Sequence, residues 1–516
     1  MSSRTGRWVD AALALLLFAV TVVYLAALPR NLSVPDEAHA LHEATRVLDG
    51  EVMYRDIFEL ILPGWMYLMA ALFWLFGTTL STARITAAVI HGGIAVVMFL
   101  ICRRLFVRRA LASACAFTYL IVCPPLFPVA SQHWLSTFLS IILLAMCLRS
   151  VHGMRWSVAI GVVVGLLIAV HHQRGVSMGV GVAAFLVADA VVRRRYGGHA
   201  DVTVLTQRLI GLVGGTLLVV VPLLLGLARS AGIEPVWRAL VIQPLMNYRG
   251  AVSARWGHAI WGIEKAPFAF PRLLTYLPVA LLLSVLSLLV LYYRRHDLEH
   301  ARALTLLAVF CVFSMISIAY FPDIIHIAFI APVFFVTGAE AIERALRLLP
   351  TRLGHGLGYV LSSAIALGGG LQLQQNLMRL REQYPVRYAS EFGEIALPGP
   401  YYARLLEQLK ELLRGVPSRT LYCHPRSAYT YLLVDAHNPT RFSFVIPPVY
   451  TGPDQVQEVI ATLAAKRVPY VLAHDTSKQH EDLISRFIQQ HYERRPGPKP
   501  LADVIWHRKS DTAARP

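Results

Sequence analysis

The residues Trp8–Leu28 read WVDAALALLLFAVTVVYLAAL, and Pro35-Asp36-Glu37-Ala38-His39 follows shortly after them. A helix that crosses a bilayer needs about 20 largely apolar residues, which the first stretch supplies. Two adjacent carboxylates next to the end of such a helix are costly to keep near hydrocarbon, so a functional site is the first interpretation. The start of the chain therefore predicts a membrane-crossing helix followed by an acidic functional loop.

The composition places the whole chain in the same class. Of its 516 residues, 56% are apolar and 15% are charged, and its mean hydropathy is +0.53. Soluble domains have about 45–50% apolar and about 25% charged residues. The formal net charge of +17 comes largely from arginines that cluster in short runs between apolar stretches, as in cytoplasmic loops of membrane proteins. We therefore predict an integral membrane protein, with membrane lipids around it and no nucleic-acid partner.

Eleven stretches are predicted to cross the membrane. They lie near residues 8–28, 84–102, 110–128, 135–148, 156–170, 176–192, 207–228, 273–293, 303–321, 326–343 and 356–374. The arginine runs fall between alternate pairs of these stretches, which places those turns and the N-terminus in the cytoplasm. An odd number of spans puts the C-terminal region on the other side. The predicted location is the cell (inner) membrane.

A further apolar stretch, Ile61–Gly77, is long enough to cross the membrane but does not fit this topology. Counting it as a span would put Arg103 and the later arginine clusters on the wrong side of the membrane. We predict that it lies in the outer interface or is re-entrant, because Trp and Tyr are common in such segments. It belongs to the first outer loop, residues 29–83, within a transmembrane domain of residues 1–375.

The composition changes at residues 376–516. Helical periodicity appears at 400–414 and near 426–434, 454–465 and 478–491, and it alternates with β-type runs at 419–423, 441–446, 470–473 and 504–507. This alternation predicts an α/β domain with a mainly parallel sheet. No glycine-rich phosphate motif is present, so we expect no nucleotide cofactor. The predicted fold class is a polytopic α-helical membrane protein of about 11 transmembrane helices with a small C-terminal α/β extracytoplasmic domain.

Asp36 and Glu37 have two interpretations. Ser33 and Asp36 could cap a helix over residues 37–48 and complement its dipole. Alternatively, a carboxylate at the end of the first span could act as a general base toward a hydroxyl group. The two roles are compatible, and both carboxylates are catalytic candidates.

Other polar residues in the predicted outer turns are candidates for binding. His39, His42 and Glu43 could hold a metal, but a solvated helix face is the favoured interpretation, and no metal is predicted. Arg174 with His171 and His172 could bind phosphate or anchor lipid headgroups, and Arg55 could serve the same phosphate or pair with Asp56. The candidates for a substrate cavity are His39, Tyr54, Asp56, His133, Tyr320, Asp323 and His326, although the 320–326 segment could also be a solvated turn.

The first loop resembles that of a known family. Pro35-Asp36-Glu37, then Gly50-Glu51-Val52-Met53-Tyr54-Arg55-Asp56, then a proline-containing aromatic segment ending in Leu75-Phe76-Gly77, are similar to the first outer loop of the C-superfamily (GT-C) glycosyltransferases. Within them, the similarity is to the protein O-mannosyltransferase and aminoarabinose-transferase-like group. Degenerate similarity continues through Arg174-Gly175 and the turn that begins at Phe321.

This resemblance implies an inverting transfer of a hexose or pentose from a polyprenyl-phosphate donor to an acceptor at the outer face of the membrane. The acceptor would be a glycan, a lipid or a protein. Asp36 matches the catalytic acid of the family's first loop, and Arg174 lies where members have a basic residue near the lipid phosphate. The family commonly has Lys or Arg just before the proline of the interfacial helix, whereas Leu60-Ile61-Leu62 precede Pro63 here.

The alternative function is that of a polytopic transporter or lipid flippase with a structural outer domain. Transporters of this kind show matching halves with Gly- or Pro-broken helices. No such repeat is visible in the sequence, so we favour the transferase.

Overall fold

The computed structural model describes residues 4–32, 34–149, 153–195, 202–248, 254–258, 270–294, 297–425, 428–447, 451–474, 482–495 and 503–509. The chain divides into two compact units. The helical unit comprises Met1–Ala27, Ile85–Leu225 and Ser253–Met378. The mixed unit comprises Leu28–Arg84, Gly226–Val252 and Arg379–Pro516.

The long helices coincide with the predicted apolar stretches. They span Arg4–Ala26, Leu80–Arg104, Arg109–Val122, Gln132–Leu148, Met154–Val170, His172–Arg195, Val202–Ala231, Leu277–Arg294, Leu298–Ser317, Ile324–Arg347 and Thr351–Gln383, with 3-10 turns at Pro124–Leu126 and Phe270–Tyr276. Among the described residues, nine helices are long and apolar enough to cross a membrane. Gln132–Leu148 and Met154–Val170 have 17 residues each. The protein is therefore a multi-pass membrane protein, and the number eleven stays a prediction.

Two glycines bring two helices of the helical unit into backbone contact. A Cβ atom at Gly161 would lie 2.2 Å from the carbonyl oxygen of Leu212, and one at Gly215 would lie 2.1 Å from that of Val158. In lipid the hydrophobic effect does not drive helices together, so their association depends on van der Waals contacts. Small residues permit these contacts because they let the two backbones approach closely. These glycines therefore fix a tight helix pair.

The mixed unit combines short helices with two small sheets. Its helices are Pro35–Leu48, which we call the loop helix, Gly64–Phe76, which we call the aromatic helix, and then Ile233–Trp237, Pro400–Arg414, Ala428–Val434, Pro453–Ala465 and Leu483–His491. Two π-helical turns, Arg238–Ile242 and Pro244–Tyr248, follow the third of these. Val386–Ser390 and Gly393–Leu397 form an antiparallel hairpin.

The larger sheet has four strands in the order Leu421–His424, Tyr470–His474, Asp503–Arg508 and Tyr492–Arg494. The first pair is parallel and the other two pairs are antiparallel. The predicted mainly parallel sheet is therefore wrong, because the chain returns through Tyr492–Arg494 as a hairpin partner of Asp503–Arg508.

The strand predicted at 441–446 is absent from the described structure, and the local hydrogen bonds give the reason. The side chain of Asn438 donates to the carbonyl oxygen of Phe442 at 3.0 Å and accepts from the backbone N–H of Thr440 at 3.0 Å. Side-chain hydrogen bonds of this kind compete with a strand ladder for the same backbone groups. Residues 438–442 therefore form a turn, and the chain continues to residue 446 without a regular element.

The first loop folds together with the C-terminal segment. The His42 ring stacks on Tyr431 with centroids 4.6 Å apart, and its Nδ1 lies 3.0 Å from the hydroxyl of Ser443. The backbone N–H of Phe58 donates to the carbonyl oxygen of Arg441 at 2.8 Å. The first loop, which was predicted as part of the transmembrane domain, is joined by these contacts to residues 379–516.

The aromatic helix has 13 residues. At about 1.5 Å per residue it is about 20 Å long, which is short of the roughly 30 Å of a hydrocarbon core. Trp74, Leu75 and Phe76 at its end are exposed. These dimensions favour the interfacial position predicted for this stretch.

Candidate functional site

The two carboxylates of the first loop have different surroundings. Pro35 occupies the first position of the loop helix, where its missing N–H is tolerated, and the N-cap residue Val34 makes no side-chain cap. Ser33, which the sequence suggested as a cap, lies outside the described residues. Asp36 is exposed in the first turn, whereas Glu37 is only 1% exposed. Of the two carboxylates, Asp36 is therefore the one that is accessible from outside the protein.

Glu37 is held in an ion pair. Its Oε2 accepts from a terminal nitrogen of Arg84 at 2.7 Å, and the same guanidinium donates to the carbonyl oxygen of Asn31. A buried carboxylate engaged in this way anchors the start of the loop helix. The geometry thus favours a structural role for Glu37 over the catalytic role that the sequence suggested.

One turn further along the loop helix, His39 and Glu43 meet Glu59. The Nε2 atom of His39 lies 2.7 Å from Oε2 of Glu59 and 3.5 Å from Oε1 of Glu43. All three residues are buried, and so is His42. The solvated helix face predicted for these positions is therefore wrong, because this face is covered by the rest of the mixed unit.

The close carboxylates change the protonation of this group. Burial alone lowers the pKa of His39, but the charges of Glu43 and Glu59 outweigh it and raise that pKa to about 9. Burial raises the pKa of Glu43 well above its ordinary value. His39 thus lies between two carboxyl groups, whose charges favour its protonated form.

Tyr54, Arg55 and Asp56 form a tight turn after the loop helix. Tyr54 is buried in a left-handed conformation with φ 70°, and its hydroxyl donates to the carbonyl oxygen of Ile61 at 2.6 Å. Asp56 accepts from the backbone N–H of Val52 at 2.9 Å and pairs with the exposed Arg55 at 2.7 Å. These bonds give Tyr54 and Asp56 a role in shaping the turn, and they leave Arg55 partly neutralised.

In the helical unit, Arg174 is buried among neutral partners. One terminal nitrogen donates to the hydroxyls of Ser136 at 2.8 Å and Thr137 at 3.0 Å, and its Nε has no partner among the described residues. None of the ion pairs found in the described part of the chain involves Arg174. The same terminal nitrogen also lies 3.4 Å from the carbonyl oxygen of His133, and a buried cation with only neutral partners is suited to an anionic ligand.

Around Arg174 the helical unit gathers several of the predicted cavity residues. His133 stacks on Phe329 with centroids 4.5 Å apart, and the rings of His171 and His326 lie 5.0 and 5.5 Å from it. His171 contributes its ring to this cluster through its contact with His133. His172 begins the helix that contains Arg174.

The turn before the helix Ile324–Arg347 is well ordered by hydrogen bonds. Asp323 is its N-cap and accepts from the backbone N–H groups of Ile325 at 2.7 Å and His326 at 2.8 Å. Its second oxygen lies 3.0 Å from Nδ1 of His326, and the ring of Tyr320 packs edge-on against His326. Asp323 is fully buried, so its first function is to hold the turn and orient the His326 ring.

Glu59 and the ion pair of Arg84 with Glu37 were not predicted from the sequence. Glu59 is the only charged residue in the run 57–77. A single carboxylate in an apolar segment needs a charged or hydrogen-bonding partner when it is buried. The position of Glu59 could therefore have indicated a buried polar contact.

Comparison with known proteins gives matches in structure only. No protein-family model matches the chain, and no curated protein does. The structure of ArnT from Cupriavidus metallidurans bound to undecaprenyl phosphate is similar over 100% of both chains, with a TM-score of 0.61 and 13% identity. The Archaeoglobus fulgidus oligosaccharyltransferase matches 90% of this chain and 70% of its own, with a TM-score of 0.53 and 12% identity.

A third similar structure is the arabinofuranosyltransferase AftD from Mycobacteria, with a TM-score of 0.51 and 12% identity. The match covers 99% of this chain and 40% of AftD. All three neighbours are GT-C glycosyltransferases. The chain therefore has the fold of the GT-C glycosyltransferases.

Proposed function

We propose that the protein is an inverting glycosyltransferase that moves a hexose or pentose from a polyprenyl-phosphate donor to a hydroxyl group of a glycan, lipid or protein. The observation that carries this proposal is the similarity over the full length of both chains to ArnT, whose structure holds undecaprenyl phosphate. The exposed Asp36 in the first turn of the loop helix supports it, because this chemistry needs an accessible base.

The proposed reaction needs a base and a cation. The carboxylate of Asp36 takes the proton of the acceptor hydroxyl while the acceptor oxygen attacks the anomeric carbon of the sugar. The bond between that carbon and the phosphate oxygen breaks, and the polyprenyl phosphate leaves with the bonding electrons. A positively charged side chain stabilises the phosphate as its charge develops. Arg174 is the candidate because its guanidinium has only neutral partners.

The donor can be tested by mass spectrometry of lipids bound to the purified protein. We expect polyprenyl phosphate to co-purify with the wild type. Arg174→Ala should bind it about tenfold to hundredfold more weakly, since a lost charge-assisted hydrogen bond costs about 1.5–3 kcal/mol. Arg352→Ala, at an exposed arginine of the same unit, is the control and should bind as the wild type does.

Two results would count against these assignments. Failure of the wild type to bind added polyprenyl phosphate would refute the proposed donor class. Undiminished binding by Arg174→Ala would place the phosphate on another cation, with Arg55 the next to be tested.

We also propose an orientation, with the N-terminus in the cytoplasm and residues 379–516 outside it. The arginine runs support this assignment. All six native cysteines are buried, so single cysteines introduced at exposed positions can be labelled against a low background. A membrane-impermeant maleimide should label Gln490→Cys but not Arg194→Cys in spheroplasts. Labelling at Arg194→Cys without lysis would reverse the orientation.

A further inference from the structure

A cavity of about 250 Å³ lies at the arginine-rich end of the helical unit, which the proposed orientation places at the cytoplasmic face. Its lining combines three arginines with apolar side chains. The arginines are Arg104, Arg302 and Arg347, and the apolar side chains include Phe185 and Leu306. A lining of this kind is suited to a ligand that has both an anionic and an apolar part.

The arginines around this cavity share too few carboxylates. Asp189 lies 3.2 Å from the guanidinium of Arg193 and 3.4 Å from that of Arg208. It also pairs with Arg302. A guanidinium stays charged throughout the physiological pH range, so one carboxylate here compensates three positive charges only in part.

Glu343 is shared in the same way. Its Oε1 atom lies 3.0 Å from Nε of Arg108 and 2.9 Å from Nε of Arg347. Arg104 is exposed and has no ion-pair partner in the part of the chain that the structure describes. The cavity lining therefore includes one guanidinium without a counter-charge and two that share theirs.

Two carboxylates also line the cavity, and both are already engaged. Asp297 caps the helix Leu298–Ser317 and accepts from the backbone N–H of His300 at 3.0 Å. Glu299 lies 3.3 Å from Arg302. With Asp189 and Glu343 these make four carboxylates against the six arginines named above, so positive charge remains in excess.

Phe106 adds an exposed apolar group to the same cavity. It is 72% exposed, and its backbone is in the left-handed region with φ 61°, which is unfavourable for an aromatic residue. Its carbonyl oxygen accepts from a terminal nitrogen of Arg347 at 2.5 Å. The surrounding structure thus keeps a phenyl ring exposed beside the arginines, as expected where a protein meets the lipid interface.

We propose that this cavity binds the phosphodiester group of an anionic phospholipid, whose acyl chains extend outward past Phe106. The free guanidinium of Arg104 donates to the phosphate oxygens, because its planar fork matches phosphate geometry. Basic pockets between transmembrane helices at the cytoplasmic side bind anionic headgroups in this way. Pockets for small molecules usually measure about 300–1,000 Å³, so this cavity holds a headgroup and leaves the acyl chains outside.

This site is separate from Arg174. Asp189, which pairs with Arg302 at the cavity, lies on the same helix as Arg174. At about 1.5 Å per residue the two positions are about 22 Å apart along the helix axis. A phospholipid in the cavity therefore does not compete with the proposed donor, and its binding does not depend on the proposed transfer reaction. Its phosphate should stabilise the helical unit by reducing the repulsion among the arginines.

The test uses the full chain in an uncharged detergent after bound lipids have been removed. We expect phosphatidylglycerol to raise the melting temperature, whereas phosphatidylcholine with the same acyl chains should not. Arg104→Gln should weaken phosphatidylglycerol binding about tenfold to hundredfold by native mass spectrometry, since it removes charge-assisted hydrogen bonds. Arg155→Gln, at an exposed arginine of the same unit outside the cavity lining, should bind as the wild type does.

Further measurements identify what the cavity recognises. Arg104→Lys should bind phosphatidylglycerol more tightly than Arg104→Gln, because an ammonium group still attracts phosphate. Equal stabilisation of the wild type by inorganic phosphate at the same concentration would overturn the proposal, because the lipid would then contribute nothing. Equal stabilisation by phosphatidylcholine would overturn it too. Undiminished phosphatidylglycerol binding by Arg104→Gln would show that the lipid is bound elsewhere.

Discussion

Asp36→Asn is expected to lower sugar transfer by about 10²–10⁴-fold, the contribution typical of a positioned general base. The substituted protein should fold and still bind the donor lipid, because asparagine keeps the size of the side chain and Asp36 is exposed. The measurement is the initial rate of transfer from a polyprenyl-phosphate sugar in proteoliposomes, compared with donor binding in the same preparation.

The chain offers a closely matched control. Pro453-Asp454 begins the helix Pro453–Ala465 in the same way that Pro35-Asp36 begins the loop helix, and Asp454 is exposed as well. Asp454→Asn removes the same favourable interaction with a helix dipole, about 0.3–1 kcal/mol. Asp454→Asn should therefore lose about as much stability as Asp36→Asn does, and its rate of sugar transfer should equal that of the wild type. Full transfer by Asp36→Asn would refute the general-base assignment.

The membrane helices could be predicted from the sequence, and the physical reason is local. In lipid a backbone must satisfy its own hydrogen bonds, so a long apolar stretch has to become a helix. This is why Trp8–Leu28 and the later apolar stretches coincide with helices. The helical conformation of the aromatic helix is likewise present, whereas its position in the interface stays a prediction from its aromatic residues and the arginine pattern.

The arrangement of the mixed unit could not be predicted in the same way. The relative direction of two paired strands depends on the path of the chain that connects them. The β-type pattern at 504–507 predicts a strand there, but it does not predict that this strand is antiparallel to its neighbours. The polar residues of the loop helix show the same limit. His39 and Glu43 have the spacing of a solvated helix face, and only the covering segments turn that face into an interior. Asp36 could be selected as a candidate because its position at the end of a span is a local property, and its catalytic role stays a prediction.

The second large effect is expected at Arg84. In Arg84→Ala the carboxylate of Glu37, whose side chain is fully buried, would lose its ion-pair partner at 2.7 Å. Removing one partner of a buried pair costs about 3–5 kcal/mol, because the remaining charge stays in a low-dielectric environment. Hydrogen exchange of the loop-helix amides, measured in micelles, should therefore speed up by roughly 10²–10⁴-fold, since local opening follows the lost free energy.

Two further variants separate the effect of an unpaired buried charge from other effects of the substitution. Arg387→Ala breaks the exposed pair of Arg387 with Glu394 in the same unit. It should change exchange little, because surface pairs contribute about 0–1 kcal/mol. Arg84→Met combined with Glu37→Leu should restore most of the protection, since a buried pair can be replaced by apolar residues of similar size at little cost. If the double variant exchanges as fast as Arg84→Ala, the cost comes from the lost guanidinium contact with Asn31 and not from an unpaired charge at Glu37.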